Sequence, residues 1–146
     1  MVQVNPARPL HVCKTMGAKV VGVDHQSITV GNFEESKKFY GRLLKFLGFK
    51  ILDEYEDAMG WTNGITRLWI SEADDKKKKH KYKYGEIGFN HYAFRLSAKK
   101  DVDALQKFLK QLGAKIVDPA GEYYDKYYAV YFEDPDGLEF EGMWYG

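Results

Sequence analysis

A single cysteine, Cys13, occurs among the 146 residues. An intrachain disulfide is therefore excluded, as is a cysteine-rich metal site, and the usage suits a reducing compartment. Charge of one sign is equally scarce. The 22 Lys and Arg against 21 Asp and Glu leave a formal net charge of +1, so no whole-molecule field recommends nucleic acid or an anionic membrane as partner. The sequence holds no run of 18 apolar residues and no signal-peptide core near its start. A cytoplasmic protein without membrane contact is expected. What is present is 45% hydrophobic and 16% aromatic residues, enough to fill the core of one domain of this length.

Residues 1–18 contain Pro6, Pro9 and Gly17 and show no hydrophobic periodicity. They read as a flexible lead-in, with Met16 a second candidate start, to a domain spanning 19–146. His11 and Cys13 lie two residues apart in this stretch. Such a pair would suit a metal elsewhere but is taken here as part of the tail.

From Val20 the pattern sharpens. Val20 to Val30 alternates and is β-branched, as a strand requires. Asn32 then offers a helix cap, with Glu35 three residues on and Gly48 as terminator. Phe39, Tyr40, Leu43, Leu44 and Leu47 fall on one helical face. The spacing predicts a helix over Asn32–Leu47, then short strands near 50–55, 58–62 and 66–71 and a linker from Glu72 to Glu86. The same order recurs. Phe89 to Leu96 alternates, and Ser97 offers a cap to a helix ending at Leu112, closed by Gly113. Strands are expected at 115–118, 127–133 and 138–144. His91 follows His25 by 66 residues and Gly113 follows Gly48 by 65, and both glycines open a Gly-x-Lys-Ile segment. Two βαβββ units at one period make an internal duplication. Neither half can cover its own sheet, so the two are expected to pack around a shared concavity.

Three side chains carry metal-compatible chemistry. His25 sits mid-strand with Ser27 and Thr29 on its face, and His91 takes the equivalent place in the second half, with Ala93 and Arg95. Glu141 lies in the last strand, with Glu139 and Met143 on its face. Imidazole nitrogen and carboxylate oxygen suit Zn, Fe, Mn, Ni or Co, and three ligands leave positions open for substrate. Taken singly, a strand histidine also packs and a terminal glutamate is also solvated. Their placement by the repeat is what singles them out.

The segment FEDPDGLEFE, Phe132 to Glu141, resembles the FxDPDGxxxE signature that ends vicinal oxygen chelate domains, and DHQSITVGNFEESKKFYGRLLKFLGFKI resembles their opening strand and helix. The likeness runs from about Val20 to Trp144. It implies an α+β fold of two tandem modules, about 20–72 and 87–146, whose curved mixed sheet surrounds a cleft. It also implies metal ligands at His25, His91 and Glu141. Members include glyoxalase I, extradiol dioxygenases, methylmalonyl-CoA epimerase, fosfomycin-inactivating thiol transferases and bleomycin-sequestering proteins.

Glyoxalase I and the epimerase add a fourth ligand on the last strand of the first half. Trp69 stands there, and Glu72 has the opposite strand parity, which counts against a lactoylglutathione lyase. Tyr131, ten residues before Glu141, matches the acid–base tyrosine of extradiol dioxygenases, though YYDKYYAVYF also reads as an aromatic core strand. The second-shell histidine those enzymes need has only His80 as candidate, in the charged linker. Implied, then, is a metal-dependent lyase, isomerase or dioxygenase with a small-molecule substrate. Glu141 neutralises part of the metal charge, and Tyr131 or Glu139 moves a proton. The alternative is a non-catalytic sequestration protein of the same fold. A homodimer is expected, with the cup either within one chain or exchanged across the dimer. DDKKKKHKYKYG, Asp74 to Gly85, reads as a solvated loop or as an anion-binding flap.

Overall fold

The computed structural model describes residues 22–80 and 82–146. The lead-in over 1–18, with His11 and Cys13, lies outside them. The first module runs β1 (His25–Val30), α1 (Phe33–Phe46), β2 (Lys50–Glu54), β3 (Ala58–Thr62) and β4 (Arg67–Glu72). The second repeats it as β5 (His91–Arg95), α2 (Lys99–Leu112), β6 (Lys115–Tyr124), β7 (Tyr127–Glu133) and β8 (Glu139–Tyr145). Each module makes its own four-stranded mixed sheet, in the orders β1-β4-β3-β2 and β5-β8-β7-β6. In both, the first strand runs parallel to the last and the remaining pairs are antiparallel.

The local chemistry explains most boundaries. Asn32 Oδ1 accepts the Glu35 N–H at 3.2 Å, a cap worth about 1 kcal/mol. Gly48 and Gly113 take φ of 84° and 77° just past the two helices, a conformation that costs glycine nothing. The second helix starts differently from expectation. Its N-cap is Ala98, not Ser97, with no side-chain cap bond, and Asp101 supplies the acidic charge of the first turn. Strand β6 is also longer than its sequence pattern, reaching Tyr124 through three register shifts. It is an edge strand, so Pro119 removes no ladder bond that a neighbour needs.

One hydrophobic cluster spans both modules. On β1 and β4, Ile28, Val30, Leu68 and Ile70 are buried, while His25, Ser27 and Thr29 alternate outward. The helices meet at Phe46 and Phe108, whose rings stack at 4.2 Å. Tyr40 of α1 packs edge-on against Phe140 of β8, and Phe49 against Phe94 of β5. The modules therefore join through the helix-covered sides of their sheets. Both sheets carry their large apolar residues on those sides, so the chain's own core lies there and the His25 and His91 faces lie opposite it.

The turns before the last strands differ between modules. Residues 63–66 close on themselves, with Asn63 Oδ1 accepting the N–H of Ile65 and Thr66. The equivalent Asp134-Pro135-Asp136-Gly137 turn crosses the module boundary. Asp134 accepts from the Tyr40 hydroxyl, and Asp136 Oδ2 accepts from the Gly31 N–H at 2.9 Å. Among the described residues no helix is long and apolar enough to cross a membrane.

Candidate functional site

The outward parity of β5 and β8 carries the second histidine and the glutamate. His91 is in register with Glu139 and Ala93 with Glu141, so all four side chains leave one face of the sheet. His91 Nε2 stands 3.4 Å from Glu141 Oε2. Two ligands held at about 2.0–2.2 Å from one ion lie roughly 3–3.5 Å apart, so the pair fits a common metal.

Glu141 is only 1% exposed although its face carries no helix. Tyrosines cover it. Tyr127 donates its hydroxyl hydrogen bond to Glu141 Oε1, and Tyr131 is its register partner on β7. A carboxylate so withdrawn from water, met by a phenol and an imidazole, is the donor environment a cation would compensate.

The two proton-transfer candidates flank this pair. The Tyr131 ring lies edge-on to His91 at 6.4 Å. Burial and the Glu141 carboxylate raise its pKa, so it stays a phenol across the neutral range and can give a proton. Burial pushes Tyr127 up to about 12, reinforced by its bond to Glu141. Glu139 sits between His91 and Glu133 in register, and burial raises its pKa against the opposing pull of His91.

His25 is brought to a different place. It occupies the open face of the first sheet, in a cleft of about 640 Å³ lined also by Ser27, Asp53, Arg67, Trp69 and Ser71. Among the described residues, no group of three His, Cys, Asp or Glu side chains gathers where it could hold a metal. The structure thus unites His91 with Glu141 and sets His25 apart on the other module. Trp69 keeps the predicted parity, in register with Ser27 and lining the His25 cleft. Glu72 instead pairs with Lys78 at 2.7 Å. His80 lies at a small cavity beside Lys77 and Asp136, away from His91. A larger groove of about 770 Å³ follows the seam between α1 and the Asp134–Gly137 turn, and none of the five candidate residues lines it.

Both histidines are held in the same way by the residue before them. His25 Nδ1 is 2.9 Å from Asp24 Oδ2, and His91 Nδ1 is 2.6 Å from Asn90 Oδ1. Each contact fixes the ring and leaves Nε2 as the outward nitrogen. Asp24 is itself held by Arg67 Nη1, at 3.1 and 3.2 Å from its two oxygens. Sequence reading passed over Asp24, Asn90 and Tyr127. The first two were detectable as polar residues at repeat-equivalent positions. Tyr127 was hidden among five tyrosines in nine residues.

The sequence model of the Glyoxalase/Bleomycin resistance protein/Dioxygenase superfamily matches residues 22–141. The chain is 29% identical over 120 residues to the uncharacterized protein YqjT of Bacillus subtilis strain 168, covering 80% of this chain and 94% of that one. A Bacillus halodurans structure provisionally described as a glyoxalase superposes with a TM-score of 0.74 at 28% identity, covering 84% of this chain and 94% of that chain. A glyoxylase/bleomycin resistance protein/dioxygenase domain from Frankia sp. EAN1pec gives 0.73 at 22% identity, covering 88% and 100%, and so likeness of fold.

Proposed function

Since the chain belongs to the glyoxalase/bleomycin resistance protein/dioxygenase superfamily, we propose that it is a metal-dependent enzyme acting on an oxygen-bearing small molecule, with each site built from two copies of the chain. His91 and Glu141 of one copy and His25 of the other are the ligands. A divalent Zn, Fe, Mn, Ni or Co ion bound there would polarise vicinal oxygens of the substrate and favour the oxyanion form.

The observation that carries this reading is the 3.4 Å approach of His91 Nε2 to the buried Glu141 carboxylate. His25 is presented in the same manner, Nδ1 anchored and Nε2 outward, on the face that lacks a carboxylate partner of that kind. The two histidine faces are the sides of the sheets that the intrachain core does not use. A second copy that brings one chain's first sheet against the other's second sheet supplies what each face lacks. In such a site Glu141 places its charge through Oε2 while Tyr127 occupies Oε1. Tyr131 gives a proton and Glu139 takes one.

The test is complementation. His25→Ala and His91→Ala chains, each expected to bind metal weakly and to be inactive, are mixed after partial unfolding and allowed to re-pair. Half of the sites in a mixed dimer then regain all three ligands, and nickel binding should return. Mixtures that bind no better than their parents overturn the shared site. A screen of 1,2-dicarbonyls, catechols and CoA esters on the metal-loaded protein decides between turnover and sequestration, since the latter predicts tight binding with no product.

A further inference from the structure

The indole of Trp69 lies flat on the backbone of β3. Gly60 is its register partner, and a Cβ placed on that residue would stand 2.7 Å from Cδ2 and Cε2 of the ring. Any side chain there would lift the indole off the strand, so glycine is what permits the flat seat. The Tyr55 ring runs nearly parallel to it, 22° apart, with centroids 6.2 Å away. That is an offset arrangement that widens the aromatic surface rather than covering it. The strand seals the inner face of the indole, and the ring lines the His25 cleft. Ser27 and Ser71 leave the same sheet face beside it, each with a hydroxyl that can donate or accept.

We propose that Trp69 is the floor of a subsite for a planar, conjugated ring bearing oxygen substituents, and that it decides which small molecules the cleft accepts. The inference deepens the function proposed above and rests on its reading of this face as part of the small-molecule site. A ring seated on Gly60 loses little further freedom when a ligand stacks on it, so the platform is organised before binding. A flat π face rewards a flat partner and gives a puckered ring of the same size no matching contact. The serines orient the ring's oxygens without selecting for charge.

The experiment compares salicylate with cis-2-hydroxycyclohexane-1-carboxylate, which carries the same substituents on a saturated ring. Titration calorimetry on the metal-free full chain should give salicylate an advantage of about fivefold to tenfold. Trp69→Leu should abolish the advantage by lowering salicylate affinity more than that of the saturated analogue, while Trp69→Phe keeps most of it. Gly60→Ala, which pushes the indole from its seat, should lower salicylate binding with the tryptophan still present. Thermal melts confirm that each variant folds. Equal affinities in the native chain, no salicylate binding at millimolar concentration, or an undiminished preference in Trp69→Leu each overturn the proposal. A preference that persists in a chain taking up no nickel defeats the metal reading and leaves this subsite standing. Nickel uptake without the preference does the reverse.

Discussion

The Tyr40 hydroxyl donates to Asp134 at 2.5 Å, joining the helix of the first module to the turn before the last strand of the second. Asp134 Oδ1 also accepts the backbone N–H of Asp136 and Leu138. One buried carboxylate therefore shapes the turn, aims β8 and locks the modules together. The Asp-Pro-Asp-Gly signature serves the site indirectly, by fixing the strand that carries Glu141.

Tyr40→Phe should destabilise the chain by about 1–3 kcal/mol, because it leaves a buried carboxylate oxygen without its donor. Urea unfolding should show a lower midpoint at an unchanged slope. Nickel affinity of the folded protein should be unaltered. A variant as stable as the native chain would show that the bond is not holding the seam.

The same carboxylate predicts a pH dependence. Burial raises Asp134 from 3.8 to about 6, against the lowering effect of its hydrogen bonds with Tyr40 and the turn backbone. The folded state thus holds this proton more tightly than the unfolded chain does. Its contribution to stability is fully present below the unfolded pKa and is lost as pH rises through about 6. Asp134→Asn should flatten that part of the stability profile, measured by urea titration at a series of pH values. If the native profile does not fall across that window, or if the variant's falls identically, the assignment to Asp134 is wrong.

Tyr127→Phe should weaken nickel or zinc binding by about 10–100-fold, as loss of an outer hydrogen bond to a ligand commonly does. The ring remains, so the strand should pack as before. Calorimetric metal titration reads the first effect and a thermal melt the second. Unchanged affinity would mean that Glu141 needs no help in presenting Oε2.

Asp24→Ala should release both the His25 ring and the Arg67 guanidinium, and lower metal affinity about tenfold or more. Asp24→Asn keeps an acceptor for Nδ1 and should lose less. Asn90→Ala should act on His91 in the same sense, since the contacts are repeat-related. If the two alanine variants bind metal as the native chain does, the histidines are oriented by something other than these neighbours.

Much of this was legible in the residues. The 66-residue offset of the histidines and the two amphipathic helices, each closed by a glycine, give the duplicated architecture, and strand parity places His91, Glu139 and Glu141 on one face. Which side of each sheet the modules share was not legible. Alternation tells buried from open within a module but not whether the partner across the core is the other half or another chain. The length of β6 escaped because Pro119 and Gly121 mimic a turn, and only an edge position with bulges admits them. The burial of Glu141 escaped because it depends on how far Tyr127 leans along its strand, and no periodicity records that.

The turns over 63–66 and 134–137 show that the two halves are no longer interchangeable parts. A chain assembled from two first halves would inherit the strands, the helix cap and a histidine in each unit, yet its second turn would fold onto itself and reach nothing. The halves would then be held together by their apolar faces alone, without the polar latch. A designer who wishes to transplant the second half onto another βαβββ unit must carry over two receptors with it. These are a tyrosine hydroxyl eight residues into the segment that follows the helix cap and a bare backbone N–H at the cap's threshold, where Tyr40 and Gly31 now wait for the turn.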